Sequence, residues 1–159
     1  MAQILLLNGP NLNLLGQREP HLYGERALAD IENELSGLAK EAGHSLDCYQ
    51  SDAEHELLQR IHGCGDDGTD LILFNPAAFT HTSVALRDAL LATGTPFLEV
   101  HMSNPAAREP FRQKSFFSDI ALGVIAGFGP HSYRLALQGA IQHLAAAGKN
   151  IKSKSHGYS

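Results

Sequence analysis

The chain has 159 residues, a length that fits one domain with a substantial buried core. Its content of 43% hydrophobic and 18% charged residues is typical of a globular protein, so general disorder is not expected. The formal net charge of -5 argues against a nucleic-acid partner, because a protein that binds the phosphate backbone is usually basic.

The first predicted strand is the unbroken aliphatic run from Ile4 to Leu7. It ends at Asn8-Gly9-Pro10-Asn11, a sequence typical of a turn. The loop that follows continues to Gly24 and carries Arg18 and Tyr23 between glycines. We interpret this loop as a lid that closes over a site.

The rest of the chain alternates between helical and strand-like patterns. The predicted helices are Leu28–Ala42, a short one around Leu57–Ile61, Thr80–Thr93 with Thr80 or Thr82 as its cap, a short helix or turn at Asn104–Gln113, and His131–Ala147. The further predicted strands are Ser45–Gln50, Asp70–Phe74, Pro96–Val100 and Ala121–Ala126. Parallel strands need such crossovers, so we predict an α/β fold: a flavodoxin-like, doubly wound, five-stranded parallel sheet with helices on both faces.

We predict a single domain over residues 1–148, followed by a flexible polar tail at residues 149–159. No secretory leader opens the chain and no apolar stretch approaches membrane-spanning length, so no membrane partner is expected. Cys48 and Cys64 are too few for a disulfide framework, and we predict reduced thiols in a cytoplasmic protein.

Polar residues cluster where the predicted strands end, the edge at which doubly wound sheets bind ligands. These residues are Asn11, Asn75, His81, Glu99, His101, Ser103 and Arg112. Glu99 and His101 face the same way because side chains alternate along a strand, so the carboxylate can orient the imidazole. His81 lies near a predicted helix N-terminus, which favours an anionic ligand, and Arg112 is a nearby cation.

Several familiar sites do not match. A nicotinamide site needs G-x-G-x-x-G after the first strand, where Gly9-Pro10-Asn11 stands instead. A flavin-phosphate loop would carry Ser, Thr and Gly rather than leucines, and a phospho-receiver domain would end its third strand in Asp rather than Asn75. Zinc held by His81, Glu99 and His101 stays an alternative, but no H-E-x-x-H or paired-cysteine spacing supports it, so we predict no metal.

Long motifs resemble those of the type II 3-dehydroquinate dehydratases. They are Asn8-Gly9-Pro10-Asn11-Leu12-Asn13-Leu14-Leu15-Gly16, Arg18-Glu19-Pro20, Tyr23-Gly24, Asn75-Pro76, Thr80–Asp88, Glu99–Asn104, Arg108-Glu109, Phe111-Arg112 and Gly123–Gly129. The resemblance runs from about Ile4 to Leu144. Three segments depart from the usual pattern: Ala77-Ala78-Phe79 replaces Gly-Ala-Tyr, Met102 replaces Ile, and Pro105-Ala106 replaces Ile-His.

The resemblance implies a trans elimination of water from 3-dehydroquinate through an enolate, giving 3-dehydroshikimate in the third step of the shikimate pathway. By that likeness, Tyr23 as tyrosinate removes the C2 proton and Arg18 favours its ionised form. Asn11 stabilises the enolate oxygen, directly or through a water. His101, oriented by Glu99, protonates the departing C1 hydroxyl.

The same resemblance implies residues that hold the substrate: Asn75, His81, Met102, Ser103 and Arg112. It also implies a homododecamer, a tetramer of trimers, in which Asp88 reaches a neighbouring subunit's site. No cofactor is expected, because a carbonyl beside the acidic C–H is its own electron sink, and no lysine stands at a strand end for Schiff-base chemistry.

A second function stays open at this point, a non-catalytic anion- or nucleotide-binding module of flavodoxin-like fold. Such a module would use Asn75, His81 and Arg112. It has no use for Arg18 and Tyr23 on a glycine-flanked lid, and the sequence therefore favours the enzyme.

Overall fold

The computed structural model describes residues 1–17 and 26–156, with side chains up to residue 148. One all-parallel sheet contains the strands β1 (Gln3–Asn8), β2 (Ser45–Gln50), β3 (Leu71–Asn75), β4 (Phe97–His101) and β5 (Gly123–Ala126). Their spatial order is β2-β1-β3-β4-β5. The chain thus turns back between β1 and β3, which is the switch point of a doubly wound fold.

Four helices cover the two faces of this sheet: α1 (Leu28–Glu41), α2 (Glu54–Gly63), α3 (Val84–Thr93) and α4 (His131–His156). Alternate residues of β1 point to opposite faces. Ile4 and Leu6 belong to the core shared with α1 and α4, and Leu5 and Leu7 belong to the core shared with α2 and α3. The predicted α/β flavodoxin-like fold, with helices on both faces, is confirmed.

The start of α3 differs from the sequence prediction. The segment Ala77–His81 forms a 3-10 helix, and α3 begins only at Val84. Neither Thr80 nor Thr82 is the cap; the Ser83 hydroxyl accepts a hydrogen bond from the Leu86 backbone N–H at 3.0 Å. The sequence does not fix the start, because residues 80–83 are Thr-His-Thr-Ser and three of these four have a hydroxyl that can cap a helix. The segment 104–113, predicted as a short helix or turn, contains two 3-10 turns, Pro105–Ala107 and Pro110–Arg112.

The last helix is longer than its apolar pattern, with a helical backbone that continues to His156. The division into one domain and a flexible tail from residue 149 stays a prediction. Within the described ranges, no helix combines the length and the apolar character that crossing a bilayer requires.

The loops after β1 and β3 touch at Gly9. Its N–H donates to the Asn75 carbonyl oxygen at 2.8 Å, and an added Cβ would stand 2.4 Å from the carbonyl oxygen of Pro76. No side chain fits at that distance without moving backbone, so the approach of the two loops depends on glycine.

We therefore predict that Gly9→Ala destabilises the protein by about 1–3 kcal/mol, the usual range for overpacking. Gly37→Ala is the matched control, because Gly37 lies inside α1 with nothing within 4 Å of an added Cβ. There the same change should stabilise the fold by about 0.5–1 kcal/mol through helix propensity. Urea denaturation measures both, and equal effects would contradict the close approach.

Candidate active site

A pocket of about 240 Å³ lies at the carboxyl ends of β1, β3 and β4, beside the switch point. Seven of the predicted site residues line it: Asn11, Asn75, His81, His101, Met102, Ser103 and Arg112. Apolar walls from Leu12, Leu15 and Ala78 complete it. Residues far apart in the chain meet here because parallel strands end at one edge of the sheet.

His101 and Glu99 form a buried pair at the end of β4. The His101 Nε2 is hydrogen-bonded to the Glu99 Oε2, as the alternation of the strand predicted. Glu99 is 1% exposed and also accepts hydrogen bonds from the hydroxyls of Ser115 and Ser118, at 2.9 and 2.7 Å. An ionised carboxylate only accepts, so the His101 Nε2 carries a proton and Nδ1 is the nitrogen that can act on a ligand.

The pKa of Glu99 agrees with an ionised carboxylate. Burial alone raises this pKa, but the hydrogen bond and charge of His101, with the hydroxyls of Ser118 and Ser115, outweigh the burial. The net result is a pKa below the ordinary value of 4.5. Sequence reasoning did not find the two serines, because they lie in an irregular loop with no periodic signal.

The second pocket histidine is held in a similar way. The His81 Nδ1 lies 2.8 Å from the Lys114 carbonyl oxygen, which can only accept a hydrogen bond. Nδ1 therefore carries the proton, and in neutral His81 the Nε2 is an acceptor. This nitrogen can accept a hydrogen bond from a hydroxyl group of a ligand.

In the described part of the chain, two positively charged arginine side chains line the pocket. The described lining residues include Arg108 and Arg112 and no acidic residue. The Arg112 Nε donates to both carboxylate oxygens of Glu109, at 3.2 and 3.1 Å, which fixes the orientation of the guanidinium. Arg108 was not among the predicted site residues, although it belongs to the Arg108-Glu109 motif on which the family resemblance rests. The lining favours an anionic ligand.

A fully buried hydroxyl, that of Tyr133, orients the pocket residue Asn75. The Asn75 Nδ2 donates to the Tyr133 hydroxyl at 2.8 Å, and that hydroxyl donates to the Asn8 Oδ1 at 2.7 Å. The Asn75 Oδ1 accepts from the Ala77 N–H, so the amide of Asn75 has one orientation. Burial raises the pKa of Tyr133, which therefore stays protonated. From sequence, Tyr133 belonged only to an apolar helix stripe.

Two residues of the pocket wall adopt the left-handed backbone conformation. Asn11 has φ 69° and Ala77 has φ 53°, and they are the only residues other than glycine with positive φ in the described ranges. The Asn11 N–H is anchored by the Asp52 Oδ1 at 2.9 Å. Asparagine tolerates this conformation but alanine does not favour it, so the Ala77 backbone is strained beside the pocket.

The described pocket lining does not include three of the other predicted site residues. Arg18 and Tyr23 fall outside the described residues, so their place in the site stays a prediction. Asp88 is exposed on α3 and does not line the pocket of its own chain. Among the described side chains, no three His, Cys, Asp or Glu residues are grouped as a metal would require.

The fold and the pocket define a class of protein, a doubly wound α/β protein with an arginine-lined pocket at its switch point and a carboxylate-oriented histidine. Comparison with known proteins gives the family. The model of the dehydroquinase class II family matches residues 2–141. This chain belongs to that family.

Relatives and solved structures agree. The chain is 65% identical over 143 residues to the 3-dehydroquinate dehydratase of Chromobacterium violaceum, covering 90% of this chain and 92% of the relative. It is 62% identical over 144 residues to that of Xanthomonas campestris pv. campestris, covering 91% and 97%. The crystal structure of type II dehydroquinase from Propionibacterium acnes superposes with a TM-score of 0.85 at 42% identity, covering 89% and 97%.

We predict that Tyr133→Phe destabilises the protein by about 1–3 kcal/mol, because it leaves the buried amides of Asn8 and Asn75 without their shared partner. Tyr49→Phe is the control, since the Tyr49 hydroxyl makes only an exposed 3.4 Å contact with Glu56 among the described residues. That change should stay within about 0.5 kcal/mol. Denaturant unfolding of both variants makes the comparison, and equal losses would contradict the role of the buried hydroxyl.

Proposed function

We propose that this chain is a 3-dehydroquinate dehydratase, a hydro-lyase that removes water from 3-dehydroquinate in a trans elimination to give 3-dehydroshikimate. The observation that carries the proposal is the His101–Glu99 pair at the edge of a pocket lined by arginines and free of described acidic residues. The relatives named 3-dehydroquinate dehydratase, at 62% and 65% identity, support the same reaction.

The substrate is a carboxylate with a ring ketone and several hydroxyls, and the pocket offers a partner for each. Arg112 binds the carboxylate, with its guanidinium orientation set by Glu109. Asn75, His81 and Ser103 bind ring hydroxyls, and the backbone of Met102 closes the same wall. Because these groups hold parts of the substrate that do not react, they act on binding more than on rate.

The first chemical step removes a proton from C2. Tyr23, as tyrosinate, takes this proton, and the electron pair of the C–H bond moves into the enolate at the neighbouring carbonyl. Arg18 stabilises the tyrosinate, because a nearby cation lowers the pKa of a phenol from its ordinary value of about 10. Asn11 stabilises the enolate oxygen from the pocket wall.

The second step expels the C1 hydroxyl. The enolate re-forms the carbonyl, the C1–C2 double bond forms and the C1–O bond breaks. His101 gives a proton to the departing oxygen, so the leaving group is water. The Nε2–H stays hydrogen-bonded to Glu99, so Nδ1 delivers the proton. Before the transfer the ring is a charged imidazolium, which the buried carboxylate stabilises. The substrate ketone itself accepts the electrons, so the reaction requires no cofactor.

Self-association and location extend the proposal. We expect a cytoplasmic homododecamer, a tetramer of trimers, in which Asp88 contributes to a neighbouring subunit's site. Large apolar side chains exposed on a single chain support association: Val84, Leu91, Leu122 and Val124. The binding module considered from the sequence is not favoured, because binding alone gives no reason for the buried His101–Glu99 pair.

The function is tested by mixing purified protein with 3-dehydroquinate and recording ultraviolet absorbance. The product is a conjugated enone carboxylate, so absorbance should rise with enzyme concentration. Binding of 3-dehydroquinate with no rise in absorbance would instead support the binding module.

We predict that His101→Ala lowers kcat by about 10²–10⁴-fold, the usual contribution of a general acid. KM should change much less, since the lost group acts on the departing hydroxyl. His62→Ala is the matched control, because His62 is exposed on α2 and lies outside the pocket lining. Steady-state kinetics on folded variants decide, and near-normal kcat in His101→Ala would exclude it as the acid.

We further predict that Tyr23→Phe folds and still binds substrate or product but loses nearly all turnover, because only the ionisable oxygen is removed. Tyr49→Phe serves as the control and should keep normal turnover. Arg18→Gln should lose most turnover as well, with residual activity that rises with pH as Tyr23 ionises unaided. Normal kcat in Tyr23→Phe would show that another group takes the proton.

A further inference from the structure

The loop of residues 114–119, here called the serine loop, packs against the Glu99 carboxylate, and neither of its two serines lines the pocket. The Ser115 hydroxyl donates to Glu99 Oε2, and the Ser118 hydroxyl donates to Oε1. With His101 also on Oε2, both oxygens of a carboxylate that is 1% exposed have hydrogen-bond donors. Glu99 is therefore held in one orientation from outside the pocket.

We propose that Ser118 is a positioning residue for the proton donor of the reaction, with Ser115 in support. Ser118 fixes Glu99 as an ionised acceptor, and Glu99 in turn keeps the His101 proton on Nε2 and Nδ1 turned to the substrate. The inference rests on the proposed function, because it assigns a residue to the acid step of that reaction.

The chemistry of the pair requires such support. A buried carboxylate tends to take up a proton, and a protonated Glu99 could donate to His101 instead of accepting from it. The ring would then lose the partner that fixes its tautomer and stabilises the imidazolium. A donor on Oε1 opposes this change, because the hydrogen bond from Ser118 is stronger to an ionised carboxylate than to a neutral acid, so protonation of either oxygen weakens it.

Other contacts hold the serine loop, so Ser118 is not needed to form it. The Phe117 ring is fully buried and meets the Phe74 ring edge-on at 5.3 Å between centroids. Arg87 pairs with Asp119 and donates to the Phe116 carbonyl oxygen at 2.9 Å. The hydroxyl of Ser118 can therefore be removed while the loop stays in place.

Ser115 is less suited to a test, although it also touches Glu99. Its oxygen accepts from the backbone N–H groups of Phe117 and Ser118, at 3.0 and 3.2 Å, so replacing it disturbs the loop. Among the described hydrogen bonds, the Ser118 hydroxyl serves Glu99 alone. Replacing Ser118 therefore tests the positioning of Glu99 without disturbing the structure of the loop.

The experiment compares Ser118→Ala and Ser118→Thr with the wild type on 3-dehydroquinate. We expect Ser118→Ala to lower kcat by about 10-fold, within the range for losing one hydrogen bond to a charged group, with KM changed by less than about twofold. Ser118→Thr keeps the hydroxyl and should restore most of kcat. An unchanged kcat in Ser118→Ala would overturn the inference, as would a loss that Ser118→Thr does not restore.

The pH dependence provides a second readout. Removing the Ser118 donor raises the pKa of Glu99 from its depressed value, so the variant loses the ionised carboxylate at a higher pH than the wild type. The ratio of the variant's kcat to the wild-type kcat should fall as pH is lowered. In that ratio the titration of Tyr23 cancels, because Tyr23 is common to both proteins. A ratio that rises as pH is lowered would contradict the role of Glu99.

A double-mutant cycle tests whether Ser118 acts through Glu99. In Glu99→Gln, the further change Ser118→Ala should have no additional effect on kcat. Ile61→Val is the control, since it removes a core methylene in α2 and should leave kcat unchanged in either background. Independent, multiplying effects of Ser118→Ala and Glu99→Gln would overturn the inference. Wild-type turnover tests the proposed function, and the differences among variants test only the inference.

Discussion

The arrangement of the site depends on one buried hydroxyl. Tyr133 comes from the last helix, yet its oxygen joins the side chains that end the two strands at the switch point, Asn8 of β1 and Asn75 of β3. Parallel strands bring their ends to one edge, but they do not by themselves set the distance or orientation of the side chains there. A phenol held by the core of α4 does so without carrying charge, because burial keeps it protonated.

The two pocket histidines show the same principle with opposite results. Each has one ring nitrogen held by a group that only accepts, a carboxylate for His101 and a backbone carbonyl for His81. A carboxylate stabilises a charged ring and suits a proton donor, whereas a neutral carbonyl sets a tautomer without adding charge. The segment of residues 114–119 contributes to both arrangements: the Lys114 carbonyl contacts His81, and Ser115 and Ser118 contact the Glu99 that holds His101. One irregular segment therefore gives two histidines different surroundings.

The sequence predicted the fold well, because hydrophobic alternation and the need for crossovers leave few ways to arrange five parallel strands. It also predicted the polar residues of the described pocket lining other than Arg108, since polar residues at strand ends must converge on one edge. It missed Tyr133, Ser115 and Ser118, whose hydroxyls act across long chain separations that no local period encodes. The predicted start of α3 is too early, because several hydroxyl residues precede the helix and the sequence alone does not show which of them is the cap.

The left-handed backbone at Ala77 has a consequence for how this protein could be improved. A strained residue beside a pocket lowers the free energy of unfolding, and natural selection has not removed this cost. A search for heat-resistant variants would therefore select Ala77→Gly, because glycine adopts a positive φ without strain. The same substitution frees the backbone next to Asn75, so greater heat resistance and a well-ordered pocket would compete at a single position.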